Sequence, residues 1–273
     1  MVKNKNLLKM KNLKFYVIVK CCFTLLLVTT VFSCDSLVED QDLINTTNLE
    51  DVEVVAEQNP AGSNVITLKT TPGVAGNWNY VIGKAFSDKV AFATPIGGTQ
   101  TFTFSGNLGA EYFTKDIDIT VDNFVPGSVD QDYFDLAGDD PIAGKTWVFA
   151  GGPGEFWWYM SPPNDPEMWQ TAWWNAGGTC CPPSDAAGKM KFDFNGAPNY
   201  TYILGSSETI ASFDLNINNQ TLSFIGANVL GAQEPRGNPD GVYEIISLTE
   251  DELILYLSSN GGGTGWTWVF KPE

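Results

Sequence analysis

Short segments in which apolar and polar residues alternate recur along the chain, separated by glycine, proline and asparagine. In residues 116–121, for example, Ile117, Ile119 and Val121 share one face, and polar residues occupy the other. A period of two is typical of a β-strand with one buried face, because successive side chains of a strand point to opposite sides. We find no helical period of useful length in the sequence, so the pattern predicts an all-β fold.

The predicted strands fall into two groups joined by an acidic segment. Residues 62–126 predict a small β-sandwich, and residues 142–273 predict a second domain that closes as a sandwich or an up-and-down barrel. The segment between them, 127–141, is predicted to be a solvated linker. Its acids can also bind Ca²⁺ through their oxygens, although their spacing matches no ordered Ca²⁺ loop. These acids are Asp130, Asp132, Asp135, Asp139 and Asp140.

Residues 1–33 predict a secretory signal. The first 20 residues supply six lysines and no acid, and an apolar run follows that is shorter than the ~20 residues of a membrane-spanning helix. Ser33 then precedes Cys34, a pattern that resembles the lipobox of bacterial lipoproteins. The resemblance implies that the signal is cut before Cys34 and that a lipid on its sulfur anchors the protein in the outer membrane, at the cell surface. An ordinary secretory signal with an incidental cysteine is the alternative.

The charge of the chain changes with the loss of this signal. Cleavage removes six of the 15 basic residues and none of the 32 acidic ones, which leaves a formal charge of nine minus 32, or −23. Such a charge repels nucleic acid and anionic membrane surfaces, so we expect no nucleic-acid partner and attachment to the membrane through the lipid alone. Residues 34–61 contain eight acids and no basic residue, and are predicted to be an extended tether.

Histidine and cysteine usage excludes several kinds of chemistry. The chain has no histidine, which excludes Ser-His-Asp and Cys-His catalysis and His-ligated metal sites, and we expect neither cofactor nor metal. Cys21 and Cys22 leave with the signal, and Cys34 is the lipidation candidate. The adjacent Cys180 and Cys181 can form a vicinal disulfide or stay as thiols in an oxidising compartment. A local turn staple is favoured over a direct role in ligand binding.

Residues 154–178 hold five of the nine tryptophans together with proline, glycine and asparagine. Alternation fails from 151 to 178, so the sequence predicts a long ordered loop, and such loops are commonly functional. Indole and phenol rings stack on the apolar faces of sugars, and carboxylates and amides bond the sugar hydroxyls. We expect two or three of the five tryptophans to pack in the core and at least one to be exposed. The candidate glycan-binding residues are Glu155, Trp157, Trp158, Tyr159, Asp165, Trp169, Trp173, Trp174 and Asn175.

The second domain opens with a KTW strand at 145–147, a Gly/Pro segment and a WWNAG stretch at 173–177. Together with the lipobox, the tether and the sandwich, this order resembles the surface glycan-binding lipoproteins of Bacteroidetes polysaccharide-utilisation systems. Residues 65–124 are similar to Ig-like modules of the PKD type, and residues 247–273 are similar to the last strand pair of lipocalin-like domains. The resemblance implies capture of an oligo- or polysaccharide without catalysis, for delivery to a TonB-dependent transporter in the outer membrane.

Two other classes of function stay open. A glycoside hydrolase needs only two carboxylates at a defined separation, and Glu155, Asp165 and Glu167 lie near the aromatic stretch. No predicted strand carries the paired acids of β-sandwich glucanases, so binding is favoured over hydrolysis. A structural or adhesive surface lipoprotein, in which the tryptophans are buried, is the third class.

Overall fold

The computed structural model describes residues 48–151, 155–163, 172–232, 238, 241–258 and 263–273. The predicted signal, Cys34 and the first half of the predicted tether lie outside these residues, and so do Asp165, Glu167 and Trp169. The fold is all-β, with 55% strand and 4% helix. In the described ranges, no helix combines the length and the apolar character that crossing a membrane requires.

The first part of the structure consists of two antiparallel sheets that share one core. One sheet has the order β1-β2-β5, and the other has the order β4-β3-β6-β7. Ile66 and Leu68 of the first sheet pack in the same buried cluster as Trp78, Phe102 and Phe104 of the second. After a 3-10 turn at Leu49–Asp51, the strands are β1 (Glu53–Gln58), β2 (Val65–Thr71), β3 (Gly76–Tyr80), β4 (Gly83–Ala85), β5 (Lys89–Ala93), β6 (Gly98–Leu108) and β7 (Glu111–Val121).

Strand β1 moves the boundary that the sequence predicts for the tether. The prediction extends the tether to residue 61, but β1 pairs with β2 along its whole length, from Glu53 opposite Thr71 to Gln58 opposite Ile66. Val52, just before β1, is fully buried in the shared core. Acidic side chains do not prevent a strand when its other face is apolar, so the charge of this segment was a misleading signal.

The second part of the structure is an eight-stranded antiparallel barrel with an added hairpin. Strands β8 and β11 to β17 follow one another around the barrel, and the pairing of Phe149 in β8 with Phe270 in β17 closes it. Of the two closures that the sequence left open, the structure therefore has the barrel. The strands are β8 (Lys145–Phe149), β9 (Phe156–Ser161), β10 (Trp174–Gly177), β11 (Lys189–Asp193), β12 (Asn199–Leu204), β13 (Ser207–Asn216), β14 (Thr221–Ile225), β15 (Val242–Leu248), β16 (Leu253–Leu257) and β17 (Gly265–Pro272).

A short helix, α1 (Asp132–Ala137), covers the end of the barrel at which β8 begins. Its Leu136 and Ala137 are fully buried in the barrel core, and the Trp147 indole N–H donates to the Leu136 carbonyl at 2.8 Å. The solvated linker predicted for 127–141 is therefore wrong over this helix. Six residues span fewer than two turns, which is too short for a helical period to be recognised in the sequence.

A buried loop covers part of the opposite end of the barrel, after β14. Leu230 and Ala232 are fully buried, and the carboxylate of Asp185 holds the loop between them. The Gly231 N–H donates to both Asp185 oxygens at 3.0 Å, and the Tyr202 hydroxyl donates to the same carboxylate at 2.9 Å. A buried carboxylate needs such donors to replace its hydration, so these bonds fix the loop against the barrel.

Candidate functional site

The aromatic stretch forms a two-stranded hairpin rather than the single long loop that the sequence predicts. β9 pairs with the first half of β17, with Trp158 opposite Trp268, while β8 pairs with the second half of β17. β10 then pairs with β9, with Trp174 opposite Met160. The β9–β10 hairpin therefore continues the sheet beyond the closed barrel, at the end opposite α1.

Two of the predicted site residues on β9 lie inside the protein. Trp158 belongs to the barrel core, with its ring centroid 5.9 Å from that of Trp266. Tyr159 is buried on the other face of the strand, and this burial raises the pKa of its phenol well above the usual value. The prediction that these two rings belong to an exposed surface is wrong, because β9 is a central strand between β10 and β17 and both of its faces are covered.

Trp157 is half-buried at a bulge in β9. Ala176 of β10 is opposite Trp158 and the next residue, Gly177, is opposite Phe156, so Trp157 is an extra residue in the pairing. Its ring packs on that of Phe149, with centroids 6.0 Å apart. It also lies directly on Gly151, where any Cβ atom would overlap the indole. Glycine at this position is therefore required by the close approach of a tryptophan.

The second tryptophan pair is exposed, as we expected for at least one ring. Trp173 is 59% exposed and Trp174 is 37% exposed, and Asn175 beside them is exposed as well. The Trp173 N–H donates to the Met160 carbonyl at 2.8 Å, which fixes the backbone at the start of β10. Adjacent strand residues point to opposite faces, so the two indoles flank the tip of the hairpin. Whether they bind a sugar stays a prediction.

Phe156 is a third exposed ring on the hairpin, at 44% exposure, and the sequence analysis did not select it. Its ring contacts that of Tyr159, with centroids 6.3 Å apart, and lies against Gly177. The segment FWWY has an aromatic residue at every position, so its pattern gives no indication of which ring faces solvent. Only the bulge and the pairing of β9 decide this.

Glu155 is held at the base of the hairpin by an ion pair. Its two carboxylate oxygens each lie 3.1 Å from the Lys271 ammonium, and both side chains are about half exposed. Such a pair contributes roughly 0–1 kcal/mol to stability. The carboxylate is therefore oriented towards β17, and the other two hydrolase candidates, Asp165 and Glu167, lie outside the described residues. Across the described chain, no group of three or more Cys, Asp or Glu side chains is arranged to hold a metal ion.

Cys180 and Cys181 are joined by a vicinal disulfide in the turn that follows β10. The Cys180 N–H donates to the Gly177 carbonyl at 2.9 Å, and Cys181 has a positive φ of 57°. Both residues are exposed. This position at the end of the hairpin fits the staple that the sequence analysis favoured, and a direct role in ligand binding stays untested.

A cleft of about 990 Å³ lies elsewhere, near α1 and the outer side of β13, and includes none of the predicted site residues. Tyr133 lines it together with Asp130 and Asp214. Burial, followed by the charges of these and another nearby carboxylate, raises the pKa of the Tyr133 phenol. The cleft is acidic and lacks an exposed tryptophan, so it does not provide the ring surface that the β9–β10 hairpin offers.

No protein-family model matches the chain, and no curated protein matches it either. Its function is therefore inferred from its own side chains.

Proposed function

We propose that this protein is a cell-surface lipoprotein that binds an oligo- or polysaccharide without cleaving it. The observation that carries this proposal is the exposure of the adjacent Trp173 and Trp174 at the tip of a hairpin, with Asn175 next to them. Indole rings present a negative face and a large apolar area, which suits the C–H groups of a pyranose. The Asn175 amide can donate to and accept from sugar hydroxyls.

The place of the hairpin supports a role in capture. The two N-terminal sheets contact the barrel at the α1 end, where the Gly97 N–H donates to the Phe194 carbonyl at 2.9 Å and the Gly196 N–H donates to the Gly97 carbonyl at 2.8 Å. The hairpin is at the other end of the barrel. In a chain anchored through Cys34, the N-terminal sheets then act as a spacer, and Trp173 and Trp174 reach into the medium.

The two parts of the chain fit known architectures within this proposal. The strand orders β1-β2-β5 and β4-β3-β6-β7 are those of an Ig-like sandwich with one added strand in its second sheet, and we assign this part as the Ig-like module. The consecutive order of the eight barrel strands is that of an up-and-down, lipocalin-like barrel. The partner in the membrane, a TonB-dependent transporter, follows from the family resemblance, and the negative charge of the mature chain keeps it away from anionic lipid surfaces.

Affinity electrophoresis of the mature chain in gels containing plant, algal and microbial polysaccharides tests the proposal. At least one polysaccharide should retard the protein without release of reducing ends, and the double variant Trp173→Ala/Trp174→Ala should migrate as in an empty gel. Tyr112→Ala is the matched control, because Tyr112 is a strongly exposed ring on β7, far from the hairpin. Retardation that persists in the double variant excludes the hairpin as the binding surface, and retardation by none of the polysaccharides refutes glycan capture.

A further inference from the structure

The inner face of the β9–β10 hairpin leads from the exposed tip into the barrel. The strand registers place six side chains on this face in two rows. The row nearer the tip consists of Trp174, Met160 and Trp266, and the next row consists of Ala176, Trp158 and Trp268. Exposure falls along the rows, from 37% for Trp174 to 6% for Trp158 and Trp266 and 0% for Trp268. A continuous aromatic surface therefore connects the solvent with the barrel interior.

The indole N–H groups on this inner surface are unusual in being buried without partners. Those of Trp158, Trp266 and Trp268, and that of the neighbouring Trp157, have no hydrogen-bond acceptor in the described part of the protein. A buried donor without an acceptor destabilises a protein, and nearly all such donors are paired in native structures. Four of them in one half of the barrel indicate that an acceptor enters from outside.

The rest of the barrel does not share this property. The indole N–H of Trp147, at the α1 end, is bonded to the Leu136 carbonyl, and the Tyr200 hydroxyl donates to the Asn228 carbonyl at 2.8 Å. The same barrel thus satisfies buried donors where no ligand could reach them. The unpaired donors concentrate beneath the one opening that exposed tryptophans flank.

The character of these groups limits the ligand chemistry. Indole N–H groups donate and cannot accept, so the best complement is an atom that only accepts. A sugar hydroxyl brings a proton that needs its own acceptor, whereas a carbonyl oxygen does not. Asp185 is the one charged side chain among the described buried residues of the barrel, so no cation is present there to match a uronate or a sulfate. The indoles therefore suit a neutral carbonyl with an apolar neighbour.

We propose that the barrel interior beneath Trp174 is a buried subsite for the acetyl group of an N- or O-acetylated sugar. The acetyl carbonyl accepts from the Trp158 and Trp266 indoles, its methyl packs on their rings, and Trp173 and Trp174 hold adjoining sugar units outside. This subsite rests on the glycan-binding function proposed above and gives it a substrate class. Recognition of a substituent inside the barrel makes binding selective, since stacking at the tip alone tolerates many sugars.

Two-dimensional ¹H–¹⁵N spectra of the mature protein, labelled at its tryptophan indoles, test the subsite directly. The N–H signals are assigned with single Trp→Phe variants, and three ligand pairs or sets are titrated. Chitotriose carries N-acetyl groups, acetylated xylo-oligosaccharides carry O-acetyl groups, and cellotriose and alkali-deacetylated xylo-oligosaccharides carry none. One acetylated set should shift the Trp158 and Trp266 signals downfield and bind at least about fivefold more tightly than its unacetylated counterpart, as one buried hydrogen bond implies. The set that does so identifies the N- or O-acetyl source.

Trp266→Phe is the matching variant, because it keeps an aromatic ring and removes one donor. It should reduce the preference for the acetylated ligand about fivefold. Trp147→Phe is the control, since it makes the same change where the donor is already bonded within the protein, and the preference should stay. Circular dichroism checks that each variant is folded.

Three results overturn the subsite. The first is a shift of the Trp173 and Trp174 signals by a saccharide while those of Trp158 and Trp266 stay fixed, and the second is equal affinity for acetylated and deacetylated forms. The third is an unchanged preference in Trp266→Phe. In each case the glycan-binding function of the tip stands and ordered water is left as the acceptor. If no saccharide shifts either pair and no polysaccharide retards the protein, the glycan-binding function itself is refuted.

Discussion

The two exposed indoles at the hairpin tip should contribute unequally to glycan affinity, and the structure gives the order. Trp173 and Trp174 are 59% and 37% exposed, and a fully accessible tryptophan presents roughly 250 Å². The accessible areas are then roughly 150 and 90 Å². A sugar stacked on one face covers about half of each, roughly 75 and 45 Å². At about 25 cal/mol per Å² these areas correspond to about 2 and 1 kcal/mol.

We therefore expect Trp173→Ala to weaken binding about 25-fold and Trp174→Ala about fivefold, since 1.4 kcal/mol corresponds to about a factor of ten. Isothermal titration calorimetry with the polysaccharide that retards the protein most strongly measures both dissociation constants. Neither variant should change the midpoint of thermal unfolding appreciably, because exposed side chains contribute little to the core.

The order of the two effects is the decisive result. A larger loss of affinity in Trp174→Ala than in Trp173→Ala would contradict stacking in proportion to exposed area. Losses below about twofold in both variants would show that stacking at the tip contributes little. Tyr112→Ala removes a comparably exposed ring elsewhere and should leave the affinity unchanged.

Three further predictions concern the elements that support the site. Gly151→Ala should lower the free energy of unfolding by about 1–3 kcal/mol in urea titrations, because its Cβ would overlap the Trp157 ring; unchanged stability would mean that this ring is not seated there. Asp185→Ala should cost about 2–3 kcal/mol by leaving the buried Gly231 N–H and Tyr202 hydroxyl without an acceptor, whereas Asp214→Ala, at an exposed position on β13, should cost less than about 0.5 kcal/mol. Burial, then the hydrogen bond to Asp185 and the charge of that carboxylate, raise the pKa of Tyr202 to about 12 from 10.0. Its contribution to stability is thus complete below about pH 10 and is lost as the pH rises through 12; alkaline unfolding followed by far-UV circular dichroism should show a smaller loss in Tyr202→Phe, and identical profiles would exclude this linkage.

Most of the strands could be predicted because one of their faces is buried and the other is wet. In β7 the predicted inner residues Ile119 and Val121 are buried, and in β11 Met190 and Phe192 are fully buried. The elements that sequence reasoning missed lack this contrast. β12 has polar and aromatic residues on both faces, β1 is masked by its acids, and α1 is too short to show a period.

The candidate site could be located in the sequence but its exposed side chains could not be chosen. Both tryptophan pairs look alike locally, yet Trp158 is buried and Trp173 is exposed. The difference arises from the pairing of Trp158 with Trp268, a residue 110 positions later in the chain. Local patterns contain no information on such long-range pairing, so they indicate an aromatic site without indicating its open face.

The division of β17 between two partners gives the protein freedom to evolve. β8 closes the barrel on one half of β17, and β9 adds the hairpin to the other half. Insertions, deletions or new aromatic residues at the hairpin tip can accumulate without opening the closed ring of strands. Related chains with the same barrel can therefore diverge in sugar preference while they keep a common scaffold, much as antibody domains vary their loops on a constant framework.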